Sequence, residues 1–356
     1  MLKIHEITSP THQRIVQGID EERGFDALIA VHSTKLGPAL GGCRCWHYPD
    51  FSSHLRDAMR LGQAMTMKNS LAGLVAGGGK GVINCNPENK TPELFQAYGE
   101  LVNFLEGQYL TGEDVGVKPS DVDEMKKTTK FISSNSIPSN LLDPGPATAY
   151  GVVRGMEMAA RFRLDRVTGD RPPHPNNVLT DLTIVIQGLG NVGFALMEML
   201  NCKGANLIVT DTNSNLVTQA KTQFPHIQTV EPDEIFDVEC DIFAPCALGA
   251  VLNPSTIERL SNSTYIICGS ANNQLETEDC DQLLHDKELL YCPDYLVNAG
   301  GVILIYKEES QVTTDFHVSN FIDMIGDRLE ECLKTAKREN QSTGKIAEQM
   351  AMRRLN

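Results

Sequence analysis

Residues 182–202 read LTIVIQGLGNVGFALMEMLNC, and this stretch decides the fold. Leu182–Gly188 is a short β-branched run that suits a buried strand. Gly188, Gly190 and Gly193 follow in G-x-G-x-x-G spacing, and the residues from Val192 to about Cys202 carry a helical pattern. Between a strand and a helix that spacing has a mechanical reading. Gly188 permits a tight turn, Gly190 lets a pyrophosphate approach the backbone, and Gly193 allows close helix–strand packing. The amides of the helix N-terminus then meet the phosphates. The next strand, NLIVTD, ends at Asp211, 23 residues after Gly188. An acid there accepts hydrogen bonds from a ribose 2′-hydroxyl and repels a 2′-phosphate, which favours NAD over NADP. Gly188, Leu189, Gly190, Asn191, Val192, Gly193 and Asp211 are thus the expected dinucleotide contacts. The alternative, a glycine-rich packing turn, does not account for the terminal acid.

Downstream, a helix around Leu216–Phe224 and the runs CDIFAPC, YIICGS and LLYCPDYLV continue the alternation. Alternating strands and helices imply a parallel sheet covered on both faces. Upstream, ATAYGVVRGMEMAARFR (147–163) has helical spacing, and the Pro- and Asn-rich segment 166–181 reads as a surface loop. The chain breaks earlier, in LLDPGPATAYG, where Pro144, Gly145 and Pro146 precede a helix.

At 356 residues the chain exceeds the usual single-domain size. Its net charge of −15 argues against nucleic acid and against an anionic membrane surface. No apolar run approaches the ~18 residues of a membrane span. The segment MLKIHEITSP lacks the apolar centre of a signal peptide. Ten scattered cysteines, without a C-x-x-C pair, read as reduced cytoplasmic thiols. Cys43 and Cys45 lack partners at a metal-binding spacing, so no metal site is expected.

Chemistry then has to come from the N-terminal half. Lys80 follows three glycines in LVAGGGKGVI (74–83) and precedes a strand-like apolar run. Glycine-rich stretches are often turns and most lysines are solvated, but a lysine there is expected to be half-buried. Desolvation disfavours its charged form, which suits a general base. Lys68 in MTMKNS could hold a carboxylate, and Asp114 in TGED could exchange protons with a substrate nitrogen.

Eight motifs extend that reading: GPALGGCR, GLVAGGGKGVI, TGEDVG, PATAYG, QGLGNVG, CDIFAPCALGA, GSANNQL and PDYLVNAGGVI. Over nearly the whole chain they resemble the amino-acid dehydrogenases that act on glutamate, leucine, phenylalanine and valine, most nearly the leucine and phenylalanine branch. The resemblance implies a two-domain α/β fold with a cleft between the domains. Residues 1–145 would form an α/β substrate-binding and oligomerisation domain, and 146–330 a Rossmann-type, doubly wound NAD domain. A C-terminal helix, about Asn320–Lys337, and the residues about 331–356 would return to the first domain. By motif, Lys68 resembles the lysine that binds the substrate carboxylate, Lys80 the lysine that activates water, and Asp114 the proton-transferring acid. Gly41, Gly42 and Asn273 would line the substrate cleft, and Asn298 the nicotinamide. The glycines before Lys80 would let substrate and water approach the backbone.

The implied reaction is reversible oxidative deamination to a 2-oxo acid and ammonia, by a homo-oligomer (dimer or octamer). A glutamate site needs a cation in its pocket, whereas Leu40, Leu296, Val297 and Val302 are apolar. A hydrophobic amino acid is therefore expected, leucine or a branched-chain relative first. Phenylalanine is the alternative, because Gly112 makes room for a ring. A non-catalytic NAD-binding relative would have lost Lys80, Lys68 or Asp114. A 2-hydroxy-acid dehydrogenase would want a histidine–acid pair, yet all nine histidines lie outside the motifs. Two features depart from the family's pattern: Gly81 after the lysine, expected to loosen it, and a long 166–179 loop.

Overall fold

The computed structural model describes residues 1–133, 143–163, 177–309 and 315–356. Most of the 166–179 loop, through Asn176, lies outside them. The chain forms two compact units. The first comprises Met1–Pro138, Glu308–Ser310 and Ala351–Asn356; the second comprises Ser139–Lys307 and Gln311–Met350. Of the residues about 331–356 expected with the first domain, Ala351–Asn356 are grouped with the first unit.

The first unit is built on a seven-stranded mixed sheet. Strands β1 (Lys3–Ile7), β2 (Arg14–Asp20) and β3 (Phe25–Ser33) run antiparallel in sequence, and β3 pairs antiparallel with β6 (Gly77–Asn84). The short β4 (Ala39–Leu40) and β5 (Cys43–Trp46) pair parallel to β6, and β7 (Tyr109–Leu110) pairs parallel to β4. The alternation of β3 sorts its side chains to two faces. Leu28 and Ala30 pack with Ala58 and Leu61 of α1 (Phe51–Leu71). Ala27, Ile29 and Val31 pack with Phe95, Tyr98 and Leu101 of α2 (Pro92–Phe104) and with Met125 of α3 (Pro119–Met125). Asp50 starts α1 by accepting from the Ser53 N–H at 2.7 Å.

The Gly-rich segment before Lys80 is not a turn. Gly77–Gly81 lie inside β6, with Ala30 opposite Lys80 and Gly81 beside Cys43. The missing side chains are replaced by other parts of the protein. A Cβ on Gly78 would overlap the Thr66 amide of α1, and one on Gly41 would overlap the Gly79 carbonyl. The glycines therefore serve close packing of a helix and a neighbouring strand rather than open access to the backbone. Gly81 does not loosen the lysine either, because the Tyr98 hydroxyl fills its space.

The second unit opens with α4 (Pro144–Phe162), capped by Asp143, whose carboxylate accepts from the Gly145 N–H at 2.9 Å. Six parallel strands follow: β8 (Thr183–Gln187), β9 (Asn206–Thr210), β10 (Gln228–Thr229), β11 (Ile242–Pro245), β12 (Ile266–Ile267) and β13 (Leu290–Tyr291). Their order is β10-β9-β8-β11-β12-β13, so the winding direction reverses between β8 and β11. That is the doubly wound order, and ligands bind outside the strand ends at the reversal. Helices α5 (Asn191–Cys202), α6 (Ser214–Gln223), α7 (Pro254–Arg259) and α8 (Asp279–Asp286) connect the strands. Then come α9 (Asp294–Val297), α10 (Gly300–Glu309), α11 (Asp315–Glu339) and α12 (Thr343–Leu355). Among the described residues no helix is long and apolar enough to cross a membrane.

Gly81→Ala is expected to destabilise the protein by about 1–3 kcal/mol, the usual result of overfilling a packed core. Urea denaturation measures it, and an unchanged midpoint would mean that Tyr98 yields freely.

Candidate active site

In the second unit the glycine turn follows β8. Gly188 has φ of +99°, a conformation that suits glycine, and its N–H donates to the Thr210 carbonyl at 2.8 Å. A Cβ there would sit 2.8 Å from Ala247, just past the end of β11, so the two strand ends converge at the reversal. Gly193 lies against the Gly188 carbonyl, which brings α5 close to the turn. Gly190 is different, with no atom within 4 Å of where a Cβ would be. It is exposed and is the N-cap of α5, with no side-chain cap on the helix amides. Leu189 is buried, whereas Asn191 is exposed and reaches the Asp143 carboxylate at 3.3 Å.

The Asp211 carboxylate accepts from the Leu189 N–H at 2.7 Å and from the Asn213 N–H at 2.7 Å. The acid is thereby fixed beside the turn. Asn298, 4% exposed, donates its amide hydrogens to the Ser270 carbonyl and to Asn272 Oδ1. Its own Oδ1 is buried with no hydrogen-bond partner. An open backbone at Gly190, uncapped amides, a fixed acid and an unmet acceptor together fit a nicotinamide dinucleotide.

Other expected residues of this unit divide. Asn273 adopts φ of +53°, held by its N–H bond to Asp294 at 2.6 Å. Leu296 and Val297 are buried, and the Val297 side chain lies against Gly155 of α4. Val302 is half-buried.

In the first unit Lys80, 4% exposed, pairs with Asp114 at 3.0 Å. The strand carries the lysine, and the segment after β7 carries the acid. Cys43 N–H bonds to the Gly112 carbonyl and Cys45 N–H to the Val115 carbonyl, which pins that segment along β5. Arg44, between the two cysteines, reaches Asp114 with Nε at 3.4 Å. Burial pushes the Asp114 carboxyl up, but the charges of Lys80 and Arg44 outweigh burial and hold it at about 2. The carboxylate is therefore anionic at neutral pH. Buried Tyr98, Tyr109 and Thr111 are linked by their hydroxyls, and the Tyr109 hydroxyl donates to the Gly41 carbonyl at 2.5 Å.

Lys68 is half-buried on α1, three residues from the end of the helix. The end itself is tied down, because Ser70 donates to the Ala351 carbonyl at 2.8 Å and Arg354 donates to the Ser70 carbonyl. Leu40 is buried in β4, and its carbonyl accepts from Asn69. The Glu113 carbonyl occupies the side-chain space of Gly42, while a Cβ on Gly112 would meet nothing nearer than 3.6 Å. Arg44, Tyr98 and Tyr109 had no assigned role in the sequence reading. The one available signal was Arg44 as a lone charge between buried cysteines.

A turn that suits a dinucleotide and a buried lysine–aspartate pair are two features that fit a dehydrogenase. The chain belongs to the Glu/Leu/Phe/Val dehydrogenase family. Its residues 11–131 match the model "Glu/Leu/Phe/Val dehydrogenase, dimerisation domain" and residues 210–356 match "Glutamate/Leucine/Phenylalanine/Valine dehydrogenase". It is 40% identical to leucine dehydrogenase of Thermoactinomyces intermedius over 346 residues, which cover 97% of this chain and 91% of that one. It is 38% identical to phenylalanine dehydrogenase of Caldalkalibacillus thermarum over 352 residues, with the same 97% and 91% coverage. The crystal structure of L-tryptophan dehydrogenase from Nostoc punctiforme matches with a TM-score of 0.78 at 36% identity, covering 97% of this chain and 96% of that one. The protein is thus an amino-acid dehydrogenase, an oxidoreductase.

The Asp114 pairing carries a pH signature. Its folded-state value, about 2, lies below the ordinary carboxyl value, so the pair stabilises the fold above about pH 4 and is lost as pH falls toward about 2. The stability gap between wild type and Asp114→Asn, read by urea denaturation, is expected to narrow as pH drops from about 5 to about 3. A gap independent of pH would contradict the pairing.

Proposed function

We propose that the protein oxidatively deaminates a hydrophobic L-amino acid with NAD, giving the 2-oxo acid and ammonia. The observation that carries this reading is the buried Lys80–Asp114 pair at 3.0 Å. NAD, when bound, supplies the hydride acceptor. Gly190, the first amides of α5, Asp211 and Asn298 would hold it, and the fixed Asp211 carboxylate would repel the 2′-phosphate of NADP.

The chain's own residues manage charge and protons. Lys68 would hold the substrate carboxylate as a cation. Loss of hydride from the α-carbon leaves an imine, and Lys80 takes a proton from the water that adds to it. Asp114 exchanges a proton with the nitrogen, which leaves as ammonia. The oxygen of the 2-oxo acid comes from that water.

Apolar Leu40 and the half-buried Val302 favour an uncharged side chain, with leucine or a branched-chain amino acid first. One observation supports a second reading, phenylalanine. The space beside Gly112 is open enough for a methyl group, and its absence leaves room for a ring. A methylene-sized difference is worth about 1–3 kcal/mol, so neither substrate excludes the other. We also propose a homo-oligomer, in keeping with the dimerisation domain of the family model, and a cytoplasmic setting that suits ten free thiols.

NADH formation with a panel of L-leucine, L-valine, L-isoleucine, L-phenylalanine, L-tryptophan and L-glutamate tests the reading. A hydrophobic substrate should lead and glutamate should fail; glutamate turnover would refute the pocket. Catalytic efficiency with NAD should exceed that with NADP, and the reverse order would remove Asp211 from the ribose. Lys68→Ala should raise the KM for the amino acid steeply while the KM for NAD stays nearly constant. A matching rise for NAD would rule out a carboxylate-binding role.

A further inference from the structure

Arg44 lies between two carboxylates. Its Nε meets Asp114 Oδ2 at 3.4 Å, and its Nη1 meets Asp57 Oδ2 at 3.1 Å. Asp57 is on α1, and the same oxygen accepts the Tyr48 hydroxyl at 2.5 Å. Tyr48 is held in turn: its N–H donates to Asn84 Oδ1 at 3.0 Å, and its ring stacks on buried His54 at 5.0 Å. His54 Nε2 donates to the Val82 carbonyl at 3.0 Å. A brace therefore runs from α1 and the end of β6 through Arg44 to the acid. Arg44 is only 20% exposed, so these contacts lie in partly dry surroundings.

We propose that Arg44 is the positioning residue for Asp114, holding the carboxylate in place and anionic while Lys80 changes its charge. The proposal rests on the dehydrogenase reading of Lys80 and Asp114. Lys80 and Arg44 meet the same oxygen, Oδ2. When Lys80 has given up its proton, one of the acid's two cations is gone. Arg44 keeps its charge at any working pH, and its second arm on Asp57 stops it from following the lysine. Without it, a proton taken up from the substrate nitrogen would stay on Asp114 instead of passing on, and the acid would lose its fixed geometry. The groups around Asp114 are Lys80 of β6, Arg44 and the Cys43 thiol of β5, and neighbouring Glu113; Asp57 and Tyr48 act through Arg44.

The test compares Arg44→Met, Arg44→Lys and Asp57→Asn with wild type in kcat, KM and the titration of Asp114. The carboxyl is followed by NMR in substrate-free protein labelled with 13C at aspartate Cγ. With Met it should titrate about one to three pH units higher, because a carboxylate that loses a cation titrates higher. Turnover should fall about tenfold to a hundredfold, the usual effect of a misplaced group, with the KM for NAD unchanged. Lys should keep the Asp114 titration near its wild-type position, because it restores the charge, with turnover still reduced. Asp57→Asn leaves both of the acid's cations in place and only releases the second arm of Arg44, so it should lower turnover without raising the Asp114 titration, and it carries the test of positioning if Met does not fold. The NMR readout holds even if wild type oxidises no amino acid, an outcome that would overturn the dehydrogenase reading alone. Folded variants with wild-type turnover and an unmoved Asp114 titration would overturn the role of Arg44.

Discussion

A lysine side chain 5% exposed requires a counter-charge, and Asp114 supplies it at 3.0 Å. Burying an ammonium alone costs far more than a protein of ordinary stability can bear. Much of the first unit follows from meeting that requirement. The bare strand β6 lets α1 and Tyr98 close around the lysine. The parallel strand β5 pins the segment that carries the acid. Arg44 brings a second cation, so the carboxylate stays charged although it is largely shielded from water. In the proposed reaction the same arrangement would prepare proton transfer, because the two groups already touch and surrounding contacts fix both.

The second unit solves a different problem with backbone. Its glycine turn divides three tasks among three positions: a left-handed φ at Gly188, open space at Gly190, and close helix approach at Gly193. Asp211 is tied to the turn by the Leu189 N–H, so the acid and the turn form one rigid element. The reversal of winding between β8 and β11 puts that element at the mouth of the sheet.

The parts that were legible in the sequence are those governed by local rules. The strand–turn–helix at 182–202 has β-branched residues, glycine spacing and helical periodicity, each read within a few residues. Lys80 and Asp114 were legible as candidates because each sits in a motif with an unusual neighbourhood. Gly77–Gly81 was misread, since a glycine run looks the same whether a ligand or a packed helix fills the space beside it. Only the tertiary contact of Gly78 with Thr66 distinguishes them. Leu296 and Val297 are apolar, a character that pocket-lining and core residues share, and both are buried. Arg44 was missed because its partners, Asp57 and Asp114, are 13 and 70 residues away along the chain.

A buried lysine can serve as a base or as a fixed cation, and substitution by arginine separates the two. Turnover of folded Lys80→Arg with the best amino-acid substrate should be nearly abolished, because a guanidinium cannot take a proton from water. NAD affinity should be retained. Near-native turnover in that variant would mean that Lys80 supplies only positive charge, and the proton chemistry would have to be carried elsewhere.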